Sequence, residues 1–172
     1  MITIRKISLA DLDVLQDISI KTFVETFGSS NTKENMNIYV HNSFNNLQME
    51  SELTNPDSEF YFAEAGNKVI GYLKINFGTA QTESKDYNSL EIERIYVLNP
   101  YQKQRVGQQL FEKALAIAEE KRCSYIWLGV WEKNAKALHF YKKNGFVEFD
   151  QHIFVLGDDK QTDIMMKLEI KK

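Results

Sequence analysis

Two apolar runs of strand length, LEIERIYV at residues 90–97 and YIWLGVW at 125–131, bracket a segment of helical periodicity. Between them Val106, Leu110, Ala114, Ile117 and Ala118 line one face, with charges elsewhere, which predicts an amphipathic helix over 106–121. A helical crossover of that length joins parallel neighbours, not a hairpin. The nearly all-apolar second run reads as a strand buried on both faces. The centre of the chain therefore predicts parallel pairing inside a sheet flanked by helices.

The flanks extend this plan. Ile2 and Ile4 alternate with polar residues as a short strand. Ser8, with Asp11 three residues on, opens a helix that Leu12, Leu15, Ile18, Phe23 and Phe27 carry to about residue 27. Residues 32–53 read as two short helices parted near Asn45 and Asn46. Strands over 60–64 and 69–77, joined by the turn AGNK, make a hairpin, with Gly71 marking a bulge or a close approach. A polar loop follows at 79–89, and Asn99 and Pro100 end the run at 90–97. A short helix over 134–144 stops at Gly145. Strands near 146–156 and 162–170 flank the turn GDDK. The expectation is one α/β (α+β mixed) domain over 1–172, with about seven strands in a mixed sheet.

Charge and cysteine usage narrow the function. Lys and Arg number 21 against 24 Asp and Glu, a net charge of −3, which argues against nucleic acid as partner and leaves room for phosphate held by a few placed groups. A mildly acidic protein also suits a cationic substrate. The single Cys123 excludes an intramolecular disulfide and a multi-cysteine metal site. No apolar run approaches the ~18 residues of a spanning helix, and the N-terminus lacks a signal-peptide stretch. The expectation is a cytoplasmic protein without a membrane partner; a homodimer is compatible with it.

Two clusters carry chemistry. The first is the strand-to-helix passage YQKQRVGQQL, where a helix start offers unpaired N–H groups and partial positive charge to an anion, reinforced by Lys103 and Arg105. An ordinary strand-loop-helix with a solvated basic loop is the alternative. The second is WEKNAKALHFYKKNGF, in which Asn134, Leu138 and Tyr141 share a helix face. Taken alone, such a tyrosine is as readily a packed core aromatic. His41, His139 and His152 show no metal-ligand spacing and read as structural or surface residues.

Together the clusters resemble the GNAT superfamily of acetyl-CoA-dependent N-acetyltransferases. Its phosphate-loop signature, Gln/Arg-x-x-Gly-x-Gly/Ala, stands here as Gln102-Lys103-Gln104-Arg105-Val106-Gly107, and its later element N-x-x-A-x-x-F-Y-x-x-x-G-F runs from Asn134 to Phe146. Arg105 replaces the first glycine, and the expectation is an ordinary backbone there, since φ > 0 is costly for it. Its guanidinium could reach a phosphate instead. The segments KTFVETF, NMNIYV, LEIERIYV, IWLGVWEKN, FYKKNGF and GDDKQTD are similar to PaiA-type spermidine/spermine acetyltransferases over nearly the whole chain.

The resemblance implies acetyl-CoA as co-substrate, no metal, and direct attack by a polyamine amine in a ternary complex. Another amine (an aminoglycoside, a small metabolite or a protein N-terminus) and a non-catalytic acyl-CoA-binding module are the alternatives. Within the resemblance Tyr141 is the acid for the departing thiolate, and the Val97 N–H is the oxyanion donor. Ile95, Tyr96 and Val97 meet the pantetheine arm, Asn134 bonds it from the other side, and Lys143 approaches a phosphate. Gln102, Lys103, Gln104, Arg105, Val106, Gly107 and Gln108 hold the pyrophosphate. Glu93, four positions before Val97, is the candidate base, with Glu91 second; an ion pair to Arg94 is the alternative for Glu93. An unbroken strand would put both acids on one face with Ile95 and Val97, whereas a bulge, which the family has in this strand, would change that. On the acceptor side stand Glu25 beside Phe23 and Phe27, Glu91, and Trp131 at its strand's end.

Overall fold

A computed structural model describes residues 1–83 and 86–171. The elements are β1 (Ile2–Lys6), α1 (Leu12–Phe27), α2 (Lys33–Ser43), α3 (Asn46–Thr54), β2 (Ser58–Ala65), β3 (Lys68–Asn76), β4 (Ser89–Val97), α4 (Val106–Glu120), β5 (Tyr125–Trp131), α5 (Ala135–Lys143), β6 (Val147–Leu156) and β7 (Asp159–Glu169). Residues 84 and 85 of the expected polar loop lie outside the described residues. The strands form one seven-stranded sheet in the order β1-β2-β3-β4-β5-β7-β6. Among the described residues β4 and β5 make the parallel pair, and the other neighbours are antiparallel. The fold expected from the sequence is therefore present. The last hairpin turns more tightly than expected, since Leu156 pairs with Asp159 across Gly157 and Asp158, with Gly157 at φ +66°.

Each face of the sheet carries its own core. On one, α4 and α5 bury Leu110, Ala114 and Tyr141 against Leu90, Ile92, Ile126 and Leu128. On the other, α1, α2 and α3 bury Leu15, Phe23, Met36 and Met49 against Phe60, Phe62 and Tyr72. Asn45 caps α3 by accepting from the Gln48 N–H at 2.9 Å, which fixes the break between the two short helices. Gly71 lies beside a register shift in β3, and a Cβ there would stand 2.7 Å from the Tyr96 carbonyl oxygen, so it marks a bulge and a close approach at once. Among the described residues no helix is long and apolar enough to cross a membrane.

The feature that shapes the site is in β4. It pairs with β5 at Ser89↔Tyr125, Leu90↔Ile126 and Glu91↔Trp127, and then the two strands part. On its other side the register passes from Ile92↔Ile75 to Arg94↔Lys74, leaving Glu93 as an extra residue. A bulge bends and twists its strand, and this one begins where the pairing with β5 ends. The result is a gap in the middle of the sheet.

Candidate active site

The edge of β4 facing the gap is main chain. The Leu98 N–H donates to the Ile70 carbonyl on β3 at 2.9 Å. Antiparallel pairing alternates, so Tyr96 also points its N–H at β3, while Ile95 and Val97 turn theirs toward the gap. The Val97 carbonyl accepts from Gln102 Nε2 at 3.1 Å, tying the next loop to the strand end.

That loop runs through a 3₁₀ turn, Asn99–Tyr101, into α4. Glu25 on α1 accepts from the Asn99 N–H at 2.9 Å, and Gln102 Oε1 accepts from Lys136 Nζ on α5 at 2.9 Å. Lys103 and Arg105 both adopt the left-handed conformation, φ 70° and 62°. The ordinary backbone expected for Arg105 is thus overturned: it is the residue preceding the helix, at φ 62° and ψ 18°. Folded context overrides its local preference, at a cost of roughly 1–2 kcal/mol. The first α4 bond is Gln109 N–H to the Arg105 carbonyl, and among the described residues no side chain caps this end. The N–H groups of Val106, Gly107 and Gln108 are left without helical partners. A Cβ on Gly107 would meet only Val97 Cγ2, at 3.9 Å. The chain itself does not need glycine there, so the glycine keeps a surface clear above three orphan donors. With Lys103 and Arg105 exposed beside it, this cradle fits a diphosphate.

Helix α5 closes the same side. Asn134 caps it, its Oδ1 accepting from the Ala137 N–H at 3.2 Å, and the Asn144 Oδ1 accepts from Gln108 Nε2 at 3.0 Å. The Lys136–Gln102 and Gln108–Asn144 bonds staple both ends of α5 to the cradle. Tyr141 is 7% exposed, edge-on to Phe140 and Phe146. Its hydroxyl has no hydrogen-bond partner among the described residues. Burial pushes its pKa up, so it stays a protonated donor at neutral pH. Tyr96, half-buried, is raised well above the ordinary phenol value, first by desolvation and then by Tyr72, Tyr39 and Tyr141. Lys143 is exposed on the last turn of α5.

The bulge reassigns the acids. Ile95 and Val97 pack on the α4 side, whereas Glu91 and Glu93 face the N-terminal helices, so the four do not share a face. Glu93 Oε2 pairs with Lys74 Nζ at 2.5 Å and lies 3.7 Å from Arg94 Nε. Glu52 takes the same two cations, Lys74 at 2.5 Å and Arg94 at 2.9 Å. Burial pushes the Glu52 carboxyl up, but Arg94 and Lys74 outweigh it and leave the pKa lowered. This neutral quartet lines a polar cleft of about 440 Å³ with Ser43, Ser51 and Asn55. Glu91 is 3% exposed and accepts from Asn76 Nδ2 at 3.0 Å, Thr82 N–H at 2.8 Å and Thr82 Oγ1 at 2.6 Å. Burial raises its pKa. It holds Thr82, and Trp127 Nε1 holds the neighbouring Gln81 by donating to its Oε1 at 2.7 Å.

The structure does not bring Glu25 together with Phe23 and Phe27: the rings are buried in the core, while Glu25 is exposed on another side of α1. Trp131 is half-buried, its ring 5.5 Å from Phe27. The register then places Trp131, Asp163 and His152 in one row across β5, β7 and β6. His152 Nε2 lies 3.5 Å from Asp163 Oδ2, and Nδ1 lies 3.3 Å from Glu83 Oε1. Burial raises the Asp163 pKa. A Cβ on Gly129 would stand 3.2 Å from His152 Cε1. That glycine, inside an otherwise apolar strand, is the sequence signal that a group lies over β5. Among the described residues no cluster of His, Cys, Asp and Glu is arranged to hold a metal ion.

Comparison with known proteins bears on the fold and the family. The model of the acetyltransferase (GNAT) family matches residues 15–146. The chain is 42% identical over 166 residues, 96% of each chain, to an uncharacterized N-acetyltransferase in the pepI 3′ region of Lactobacillus delbrueckii subsp. lactis. It is 25% identical over 149 residues to the spermidine N(1)-acetyltransferase of Thermoplasma acidophilum, covering 84% of this chain and 88% of that one. The crystal structure of PaiA N-acetyltransferase from the same organism, in complex with coenzyme A, superimposes with a TM-score of 0.81 at 23% identity over 99% of each chain.

Proposed function

The chain belongs to the GNAT acetyltransferase family, and from that membership we propose that it moves the acetyl group of acetyl-CoA to a primary amine of a polyamine. The observation that carries the reading is the gap between β4 and β5, with uncapped donors at its mouth and unpaired main chain along its edge. Val106, Gly107 and Gln108 offer their N–H groups to the diphosphate, with Lys103 and Arg105 supplying full charges. Gln102 and Gln104 shape the loop, and Lys143 adds charge outside it. The strand edge at Ile95, Tyr96 and Val97 takes the pantetheine arm by main-chain pairing, with Asn134 opposite. The Val97 N–H meets the carbonyl oxygen as charge develops on it. The Tyr141 hydroxyl, kept protonated by burial, gives its proton to the departing sulfur.

A cationic acceptor is favoured by the acids on the other face of the gap, Glu83 and Asp163, and by the Thermoplasma relative named for spermidine. Glu93, the extra residue of the bulge, places its Oε2 between Lys74 and Arg94 on that face. The experiment is free-thiol release from acetyl-CoA with a panel of polyamines, monoamines, aminoglycosides and peptides. Fastest turnover on spermidine or spermine is the expected result. A preference for peptide N-termini would replace the acceptor, and coenzyme A binding without turnover on any amine would overturn the reading.

A further inference from the structure

We propose that His152 is the proton acceptor of the reaction, taking a proton at Nε2 from the acceptor ammonium held against Asp163. The inference rests on the acetyltransferase reading above. It starts from a mismatch: an alkylammonium has a pKa of ~10 and is almost wholly protonated at pH 7, so the amine must be unloaded before it can attack. Glu93 Oε2 is already in ion-pair contact with Lys74 and Arg94, which disfavours its taking a proton, and Glu91 accepts from three donors. Imidazole is the side chain whose ordinary proton affinity lies nearest neutral pH, where a general base works best.

The placement fits. Gly129 lies two residues beyond Trp127, the last β5 residue paired with β4, and the imidazole lies over it. His152 is therefore beside the gap, on the face opposite the α4 cradle. Its side chain is 23% exposed and that of Asp163 15%. Nδ1 is buried, with Glu83 as its charged neighbour, whereas Nε2 is not among the sealed polar atoms. Nδ1 makes no hydrogen bond among the described residues, so Glu83 acts on the ring by proximity alone, and Nε2 stands 3.5 Å from the Asp163 carboxylate. Among the described residues, Glu83 on the loop before β4 and Asp163 on β7 are the charged groups in ion-pair contact with the ring.

The proton count closes. One N–H bond of the ammonium breaks, its electron pair stays on nitrogen, and the proton passes to Nε2. That pair forms the C–N bond to the thioester carbonyl carbon. The C–S bond breaks, its pair leaves on sulfur, and sulfur takes the Tyr141 hydroxyl proton. A second N–H proton from the new amide reloads the Tyr141 oxygen. Ammonium and thioester give amide, thiol and one proton, which His152 releases to solvent.

The test is the pH profile of kcat/KM for His152→Gln, with spermidine and acetyl-CoA. At pH 7 the variant should be slower by ~10²–10³, the ordinary worth of a general base, and the deficit should shrink toward wild type as pH approaches the amine's own pKa of ~10. Coenzyme A affinity by calorimetry should be unchanged. Asp163→Asn should raise the KM for spermidine by ~10-fold or more, the loss of a hydrogen bond to a charged group; it decides the matter should His152→Gln not fold. A deficit in His152→Gln that is constant across pH, or absent at pH 7, overturns the inference, as does a pH-dependent deficit in Glu93→Gln alone. Wild-type enzyme without polyamine turnover would instead sink the acceptor reading.

Discussion

Gly107→Ala separates the cradle's role in binding from its role in folding. The residue lies in the first turn of α4 with an ordinary negative φ, and an added methyl would meet only Val97 Cγ2, at 3.9 Å. Replacing glycine by alanine within a helix gains ~0.5–1 kcal/mol. For a chain of this length 1 kcal/mol moves the melting temperature by roughly 2–4 °C, so the variant should melt ~1–4 °C higher. The same methyl projects into the space kept clear above the Val106, Gly107 and Gln108 donors. Displacing one hydrogen bond to a charged phosphate costs ~1.5–3 kcal/mol, which is a Kd for coenzyme A weaker by ~10–100-fold. Calorimetric titration with coenzyme A and a thermal melt on the same preparation read both numbers. Affinity within two-fold of wild type would refute the diphosphate's place at this helix end. A lower melting temperature would refute the open surface.

The catalytic and structural parts give further tests. Tyr141→Phe should lower kcat by ~10²–10⁴ with an unchanged melting temperature, because the buried hydroxyl has no partner to lose; unchanged turnover removes Tyr141 from the mechanism. Arg105→Gly should relieve left-handed strain of roughly 1 kcal/mol and raise the urea midpoint while weakening coenzyme A binding, and a fall in the midpoint would show that the arginine contributes contacts worth more than its strain. Asp11 accepts from the Ser8 N–H at 3.0 Å and pairs with Arg5 at 3.2 Å, and the Arg5 hydrogen bond holds its pKa below the ordinary value. A carboxyl lowered in this way stabilises the fold above its unfolded pKa of ~3.9 and loses that contribution as pH falls through the folded value. Asp11→Asn should therefore cost ~1 kcal/mol at pH 7, and the gap between wild type and variant should narrow steadily as pH falls below ~3.9 in denaturant titrations; a gap that does not narrow in acid would remove the ion pair from the account.

What the sequence disclosed and what it withheld divide along the range of the interactions. The crossover helix, the buried run at 125–131 and the cap at Asn45 depend on residues a few positions apart, so periodicity and side-chain chemistry exposed them. The tyrosine and the cradle were legible because each lies within one short segment at an element boundary. Arg105 was misjudged because a local rule, the cost of φ > 0, yields where Lys103, Arg105 and the ties through Gln102 and Glu25 bend the chain into α4. The faces of Glu91 and Glu93 depend on where Lys74 and Ile75 of another strand meet β4, a register that a single strand's alternation cannot reveal. The row joining Trp131, Asp163 and His152 is more remote still, since three strands must align before the imidazole can lie over Gly129. The groups proposed to prepare the acceptor are thus assembled by sheet register, whereas the groups proposed to hold the nucleotide lie largely in one loop-helix passage. Substitutions that slip a register by one residue should then alter the choice of amine while leaving coenzyme A affinity intact, because the α4 cradle hangs from β4 beyond the bulge and takes no part in the β5-β7-β6 pairing.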